Sequence, residues 1–304
     1  MNSRNHERPF FTIITPAFNQ GKYIRRTIES VLSQGVDSIE YLIFDGGSRD
    51  ETVSILESFG DSIHWISEPD RGQAHAVNKG LAVAKGEVIG WLNSDDVYYP
   101  HTLRLAKSVF QKYAEIDILY GMADHIDEND NVIEPYYTEE WNYERMKEVC
   151  FICQPAVFFR RSIVGKFGFL DETLRYCMDY EYWLRIGKER PFHYLRKRLA
   201  GSRLYRETKT LGAAVAVHEE ILRMFKKKFG KIPSRWIYNH AHAVARKSGL
   251  TRETPEGNLK FVKKVALVSV CDLLRLRYYI PLSELKALMS WYINARRSVK
   301  QKIL

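Results

Sequence analysis

The first third of the chain alternates short apolar runs with longer segments whose apolar residues recur every three to four positions. Residues 11–16 form the first apolar, β-rich run, and residues 20–34 follow it with helical spacing. Because this order then repeats, it predicts parallel strands joined by helices, which is an α/β fold. The repeats are predicted strands at 39–44, 63–66 and 88–92 and predicted helices at 48–58 and 72–85.

The pattern changes after residue 116, and it becomes helical from residue 210 onward. We therefore predict two domains, an α/β domain over residues 1–205 and a basic helical region over residues 206–304. The later predicted elements are a strand at 116–120, a polar turn at 127–131, a buried strand at 149–159, a helix at 179–188, and helices that break near 230–233 and 254–257.

Composition narrows the class of protein. A chain of 304 residues with 45% hydrophobic and 13% aromatic content can bury a full core, so general disorder is not expected. It has no run of the roughly 18 apolar residues that a spanning helix needs, and residues 1–9 lack the apolar segment of a signal peptide. We expect a cytoplasmic protein. Cys150 and Cys153 lack the further ligands of a zinc site, which favours a structural role.

Charge is divided unevenly along the chain. The net charge is +9, but residues 1–187 carry 19 Lys and Arg against 29 Asp and Glu, whereas residues 188–304 carry 27 against 8. This division predicts that the C-terminal part meets an anionic partner, and a membrane surface, a phosphorylated acceptor and nucleic acid are the alternatives.

The end of the chain, residues 283–303, has the pattern of a basic amphipathic helix. Such a helix can lie in a membrane interface or can pack on the rest of the protein, and the pattern does not choose between them. The predicted apolar face contains Leu285, Leu288, Met289, Tyr292, Ile293, Val299 and Ile303, and the basic residues elsewhere are Arg296, Arg297, Lys300 and Lys302.

Two polar clusters follow predicted strands, where parallel sheets bind their ligands. Residues 93–96, Asn-Ser-Asp-Asp, offer oxygen ligands suited to a hard divalent ion. Residues 45–50 begin with a strand-end carboxylate and two glycines, which suit close contact with a nucleobase or ribose. Ordinary turns are the alternative, with Asp96 capping a helix near Pro100 and Ser48 with Glu51 forming a capping box.

The order of motifs resembles glycosyltransferase family 2, which has the GT-A fold. That fold is a Rossmann-like, mainly parallel sheet flanked by helices, here with a C-terminal helical extension. The resemblance covers residues 9–210 and is strongest to bacterial members that build O-antigen and other surface polysaccharides. The matching segments are 15–19 (TPAFN), 45–48 (DGGS), 72–80, 93–96 (NSDD), 154–160 (QPAVFFR) and 178–185 (MDYEYWLR).

The resemblance implies metal-dependent transfer of a sugar, with inversion, from a nucleoside-diphosphate sugar to an acceptor hydroxyl. Asp95 would be the principal ligand of Mn²⁺ or Mg²⁺, and Asp179 would be the general base. Arg203 and Lys209 would approach the diphosphate. The residues that would bind the donor are Pro16, Phe18, Asn19, Asp45, Gly46, Arg71, Gly72, Asn78, Asn93, Ser94 and Gln154.

Three positions depart from the family's pattern. Asn93 stands where an aspartate is commoner, Met178 where many relatives have glutamate, and Tyr205 where a histidine is expected. Because Asp95 occupies the last position of the family's D-x-D pattern, over 93–95, and is the usual direct ligand, metal binding is expected to survive the change at Asn93.

UDP is the default nucleotide, because Asp45 suits the ring N–H of a pyrimidine. dTDP satisfies the same contact, and GDP is a further alternative. A saccharide acceptor carried on polyprenyl diphosphate would place the protein on the inner face of the cytoplasmic membrane. The alternatives are a sugar nucleotidyltransferase and an inactive nucleotide-sugar-binding scaffold. Nucleic acid is not an expected partner, since no recognised module is present. The enzyme hypothesis requires Asp45, Asp95 and Asp179 to converge on one cleft.

Overall fold

The computed structural model describes residues 8–37, 39–205 and 212–301. The chain divides into two compact units, Met1–Tyr205 and Arg206–Leu304. Predicted Lys209 lies outside the described residues.

The described strands of the N-terminal unit form one mixed sheet in the order β3-β2-β1-β4-β8-β6-β9-β5, with β7 paired to β6. The pairing is parallel from β3 to β4 and becomes antiparallel where β8 lies between β4 and β6. The strands are β1 Phe11–Ala17, β2 Ile39–Asp45, β3 His64–Ser67, β4 Val88–Trp91, β5 Val97–Tyr98, β6 Ile118–Ile126, β7 Val132–Pro135, β8 Val157–Arg160 and β9 His193–Arg203.

Helices cover both faces of this sheet. Alternate residues of β1 point to opposite faces, so Ile13 packs with Ile28 on one side while Ile14 meets Gly80 on the other. A Cβ added at Gly80 would lie 2.5 Å from the Ile14 side chain, so glycine permits this close packing. The helices are α1 Gly21–Leu32, α2 Thr52–Ser58, α3 Gln73–Val83, α4 Thr102–Lys112, α5 Tyr143–Glu148, α6 Ser162–Phe167 and α7 Met178–Gly187.

Register places the ends of the parallel strands at one edge. Ala17 pairs with Asp45 and Asp45 with Ser67, so β1, β2 and β3 end side by side, and β4 ends beside β1 at Trp91. The loops that follow these strands therefore open on the same edge of the sheet, which is where α/β sheets bind ligands. The predicted fold class is confirmed, with a sheet that is mixed.

Two predicted elements differ from the structure. The buried strand predicted at 149–159 is a strand only over Val157–Arg160, and Gln154–Ala156 is a short 3₁₀ turn. Pro155 explains the difference because its nitrogen has no hydrogen to donate to a sheet. The strand predicted at 116–120 extends to Ile126, where the predicted polar turn leads into β7.

The described part of the C-terminal unit is helical. Its helices are α8 Ala214–Met224, which continues as a π turn over Phe225–Phe229, α9 Ser234–Lys247, α10 Pro255–Arg277 and α11 Leu282–Gln301. Thr254 caps α10 by accepting a hydrogen bond from the Gly257 N–H, and Pro255 occupies the first turn, which is why the chain breaks there. Within the described ranges, no helix is both long and apolar enough to span a membrane.

Candidate active site

Asp45 closes β2 and is held by its own loop. Its buried carboxylate accepts hydrogen bonds from the backbone N–H groups of Gly47 (3.1 Å) and Ser48 (2.9 Å) and from the hydroxyl of Ser67 (2.6 Å). The hydroxyl of Ser48 donates to the same carboxylate. The predicted capping box is therefore wrong, because α2 begins later, at Thr52, and Ser48 is engaged by Asp45.

The exposed ring of Phe18 lies beside Gly46 of this loop. Phe18 is 59% exposed, although it follows the buried strand β1. A Cβ on Gly46 would lie 2.8 Å from an Asp70 carboxylate oxygen and 3.3 Å from the Phe18 ring, so a side chain there would crowd the ring. Pro16 is buried within β1 and does not share this exposure.

Asn19 ties the loop after β1 to the loop after β2. Its backbone has a φ of 52°, its N–H donates to the Ser48 hydroxyl at 2.7 Å, and its side-chain oxygen accepts from the Arg49 N–H at 2.9 Å. The two loops that carry Phe18 and Asp45 are thus fixed to each other.

The loop after β3 is joined to residues 170–172. Arg71 is paired with the Glu172 carboxylate at 2.6 Å, and Gly72 adopts a φ of 113° while its N–H donates to Asp70. The Asn78 amide is buried, and it bonds both the N–H and the carbonyl of Leu170 as well as Glu172. Asn78 was predicted to contact the donor, but the structure uses its amide to anchor this second loop.

Asn93 is the centre of a buried amide network. Its side-chain oxygen accepts from Gln73 (2.6 Å) and from the Trp91 indole (2.9 Å), and its nitrogen donates to Asp96 (3.1 Å) and Gln154 (3.0 Å). Gln154 in turn donates to the Trp91 carbonyl at 2.5 Å. An aspartate at position 93 would lose both donors and face the Asp96 carboxyl, which accounts for the amide at this position.

Asp96 lies beneath the turn. It accepts hydrogen bonds from the Arg203 backbone N–H (2.9 Å) and from Asn93, and it does not cap α4, which begins after His101. Burial first, and the charge of Asp95 second, raise the pKa of the Asp96 carboxyl to about 8.

Asp95 is held by hydrogen bonds from two residues at the end of β9 and just after it. Its carboxylate accepts a hydrogen bond from the Tyr205 hydroxyl at 2.9 Å, and its carbonyl accepts from the Arg203 guanidinium at 2.7 Å. The Tyr205 ring packs against Tyr23 with 4.9 Å between centroids. Gln20 donates to the same hydroxyl at 3.4 Å, which links Asp95 to the loops that hold Asp45.

The placement of Arg203 corrects a prediction. Its side chain is fully buried, and the guanidinium contacts the carbonyls of Asp95 and Asp127, the Asp130 carboxylate and the Tyr23 ring. It therefore fastens the 93–96 turn to the turn after β6 instead of reaching toward a diphosphate. Ser94 is likewise buried, and its carbonyl accepts from Thr27.

Asp179 lies in the first turn of α7. After burial itself, its charge is among the causes that raise the pKa of the Cys150 and Cys153 thiols. Asp96 also raises the pKa of Cys153, so Asp179 and the 93–96 turn share the surroundings of this thiol. Asp45 and Asp95 are linked indirectly, through Ser48, the Asn19–Gln20 segment and Tyr205. Asp179 is related to the 93–96 turn through the effect that its charge and that of Asp96 both have on Cys153.

The sequence did not reveal several residues that build this site. Gln20, Tyr23, Trp91 and Glu172 belong to no motif singled out, and Gln73 lies in the 72–80 segment without having been given a role. Gln20, Tyr23 and Glu172 act through partners distant in the chain, so only the fold identifies them.

The described residues contain no group of three His, Cys, Asp or Glu side chains arranged to hold a metal ion. A hard cation of the Mg²⁺ type commonly uses one or two carboxylates together with water and substrate phosphates. Asp95, at the end of β4, fits that limited requirement.

The mixed sheet with helices on both faces and the carboxylates at its strand ends define a GT-A glycosyltransferase architecture. The family model described as Glycosyl transferase family 2 matches residues 12–168, which is more than half of the chain. The chain therefore belongs to this family and is a glycosyltransferase.

The chain is similar in sequence to proteins named as a glycosyltransferase and as a chondroitin synthase. The chain is 28% identical over 254 residues to an uncharacterized glycosyltransferase of Rickettsia prowazekii, covering 79% of this chain and 78% of that one. It is 30% identical over 194 residues to a chondroitin synthase of Escherichia coli, covering 62% of this chain but 28% of that one.

Solved structures share the fold. S. aureus TarS 1-349 in complex with UDP-GlcNAc superposes with a TM-score of 0.58 at 18% identity, covering 96% of this chain and 92% of that one. The mannosyltransferase PcManGT from Pyrobaculum calidifontis, in complex with GDP-Man and Mn²⁺, gives 0.57 at 16% identity, covering 96% and 87%. At these identities the similarity establishes the fold alone.

Proposed function

We propose that this glycosyltransferase moves a sugar from a nucleoside-diphosphate donor to an acceptor hydroxyl, with inversion and with the help of a divalent metal. The observation that carries the proposal is the position of Asp95. It stands at the end of β4, fixed by Tyr205 and Arg203, and hydrogen bonds connect it to the loops of Phe18 and Asp45.

The nucleoside lies in this proposal against Phe18, whose exposed ring offers a stacking face beside Gly46. Asp45 supports the site by fixing the loop, and it accepts the ring N–H of a pyrimidine. UDP is the default nucleotide and dTDP meets the same contact. The fold neighbours bound to UDP-GlcNAc and to GDP-Man support a nucleotide sugar as the donor class.

Mn²⁺ or Mg²⁺ bound at Asp95 would neutralise the charge that develops on the departing diphosphate. The protein's own part is to hold this carboxylate at a fixed position, which Tyr205 and Arg203 do from the end of β9. The Mn²⁺ bound to the mannosyltransferase neighbour supports the choice of ion.

Asp179 is proposed as the general base. A carboxylate suits this task because the acceptor hydroxyl need lose its proton only as the new bond to the anomeric carbon forms. Attack from the face opposite the diphosphate inverts that carbon. The proposal is supported by the charge of Asp179, in the first turn of α7, which contributes to raising the pKa of the Cys153 thiol, as the charge of Asp96 in the 93–96 turn also does.

The acceptor is proposed to be a saccharide of a bacterial surface polysaccharide of the O-antigen kind, carried on polyprenyl diphosphate. Such an acceptor stays in the membrane, so the enzyme would work in the cytoplasm at the inner membrane face. The basic charge of the C-terminal part supports this location.

A screen of nucleotide sugars for hydrolysis and transfer, with Mn²⁺ and with EDTA, tests the proposal. We expect Mn²⁺-dependent turnover, lowered at least about 100-fold by both Asp95→Ala and Asp179→Asn. Asp95→Ala should also weaken Mn²⁺-dependent nucleotide binding, whereas Asp179→Asn should leave it intact.

The alternatives give different results in the same screen. A scaffold binds a nucleotide sugar without turnover, and a nucleotidyltransferase releases diphosphate from a nucleoside triphosphate and a sugar phosphate. Retention of the anomeric configuration in the product, measured by NMR, would overturn the inverting mechanism.

A further inference from the structure

Helix α11 packs within its unit through a single face. Leu288 and Ala295 are each 3% exposed, and Trp291 lies 5.0 Å from the Tyr238 ring of α9. Glu284 contacts the Tyr238 hydroxyl from the same side of the helix. These four positions follow one another at i, i+4, i+7 and i+11, so they define the inner face of α11.

The opposite side of α11, which we call its outer face, is apolar at its centre and exposed. Leu282, Met289 and Ile293 are 65%, 56% and 41% exposed. Met289 and Ile293 share one stripe of the helix, about three turns long, with Lys286, Ser290, Asn294 and Arg297.

This arrangement differs from the amphipathic pattern in the sequence. The predicted apolar face joined Leu285, Leu288, Met289 and Ile293, but the structure buries Leu288 and leaves the other three exposed. The inner face contains Glu284 and Ala295, which do not contribute to an apolar periodicity. Most of the large apolar side chains in the pattern therefore lie outside the inner face.

The turn between α10 and α11 carries two further exposed aromatic residues. Tyr278 and Tyr279 are 79% and 62% exposed, and Leu282 follows them at the start of α11. Tyrosine has an apolar ring and a polar hydroxyl, which suits it to the boundary between lipid and water.

Charge on the outer face has one sign. The basic residues of α11 are Lys286, Arg296, Arg297 and Lys300, and its one acidic residue, Glu284, belongs to the inner face. Residues 206–304 as a whole contain 21 Lys and Arg against 7 Asp and Glu. An apolar strip bordered by cations complements an anionic lipid surface.

We infer that the outer face of α11, together with the Tyr278–Tyr279 turn, docks onto an anionic lipid bilayer. Leu282, Met289 and Ile293 enter the boundary between headgroups and acyl chains, while Lys286 and Arg297 contact lipid phosphates. A second copy of the chain fits this surface poorly, because two such faces would bring cations against cations. The inference extends the proposed function, since it brings the enzyme to a lipid-borne acceptor.

Sedimentation of the full-length protein with vesicles tests the inference. Vesicles of phosphatidylcholine alone are compared with vesicles that also contain phosphatidylglycerol. We expect binding to the anionic vesicles only. Met289→Glu with Ile293→Glu should lower this binding about tenfold or more, because two buried apolar contacts are replaced by charges that repel the surface.

Matched controls separate docking from bulk charge. Lys286→Glu with Arg297→Glu is compared with Arg235→Glu and Lys247→Glu, which make the same change of net charge at exposed positions of the same unit. The apolar pair is compared with Val83→Glu and Val132→Glu, which are 54% and 58% exposed in the N-terminal unit. Equal loss in a pair and in its control overturns the inference, and so does a dimer, seen by light scattering, that the outer-face variants dissociate.

Donor hydrolysis without vesicles distinguishes the two proposals. Wild type that hydrolyses the donor but ignores anionic vesicles leaves the proposed function standing and overturns the docking. Wild type that binds the vesicles but hydrolyses no donor supports the docking and overturns the proposed function. The outer-face variants should retain wild-type hydrolysis in solution and wild-type thermal melting by circular dichroism.

Discussion

The strand-end edge of the N-terminal unit and the outer face of α11 place polar and apolar side chains in opposite ways. At the strand-end edge, Asp45, Asn93, Asp96 and Arg203 are buried or engaged by protein groups at hydrogen-bonding distance. On the outer face, apolar side chains such as Met289 are exposed among cations.

The difference indicates where precision is needed. Sugar transfer requires atoms held within a fraction of an ångström, and a network in which each polar group has a partner provides that. A lipid surface has no fixed atoms to match, so an exposed strip with the right charge suffices. Substitutions at the strand-end edge should therefore be costly to folding, and those on the outer face should cost almost nothing.

The largest effect is expected at Arg203. Arg203→Met keeps most of the side-chain length but removes the contacts to Asp95, Asp127 and Asp130. Asp130 keeps its pair with Arg26, but the carbonyls of Asp95 and Asp127 lose a donor, which should lower the free energy of unfolding by about 3 kcal/mol. Urea unfolding followed by circular dichroism measures this change.

The control for Arg203 is Arg196→Met, since Arg196 pairs with Glu140 on the surface. Exposed pairs contribute between about 0 and 1 kcal/mol, so this variant should unfold almost as the wild type does. Similar losses for both variants would mean that the buried network gives the strand-end edge no special stability.

Asn93→Asp is expected to be harmful although it restores the commoner residue of the family. The new carboxylate loses the donors to Asp96 and Gln154, which should cost about 2 to 3 kcal/mol of unfolding free energy. Displacement of the neighbouring turn should also lower turnover about 100-fold. Asn129→Asp, on an exposed turn, makes the same chemical change as a control; higher activity in Asn93→Asp would contradict the network.

Local patterns predicted the elements of the fold well where one rule decided each of them. Residues 11–16 and 20–34 form β1 and α1 as predicted, because the apolar residues that set each pattern are the residues that are buried. The observed strand is shorter than the one predicted at 149–159 because Pro155 cannot donate a hydrogen bond to the sheet. For α11 the pattern left open which face packs on the protein, because packing against Tyr238 depends on another helix.

The site could be predicted in part for the same reason. Asp45 and Asp95 stand at strand ends as expected, because connectivity alone puts them there. Arginine often binds phosphate, so Arg203 was predicted to approach the diphosphate. Its partners lie within residues 95–130, and no local pattern shows that its guanidinium bonds to them. The donor contact of Asn78 stays a prediction, and no local pattern shows that its amide also bonds the distant Leu170.

A smaller effect is expected at Tyr205. Tyr205→Phe keeps the ring against Tyr23 but loses the hydroxyl that donates to Asp95, so the carboxylate is held less firmly. Mn²⁺ binding in the presence of UDP, measured by calorimetry, should weaken about tenfold, as for other groups that orient a metal ligand. Tyr23→Phe, which removes a bond to Glu128 instead, should bind Mn²⁺ as wild type does; equal weakening in both would attribute the effect to packing.

The smallest effect is expected on the outer face of α11. Met289→Ala removes a side chain that is 56% exposed, so the free energy of unfolding should change by no more than about 0.5 kcal/mol. Its neighbour Leu288 is 3% exposed, and Leu288→Ala should cost about 2 kcal/mol or more because it leaves a cavity. Urea unfolding of both variants measures the contrast. Equal costs would mean that Met289 is packed in solution, and the outer face would then have no apolar strip to offer a membrane.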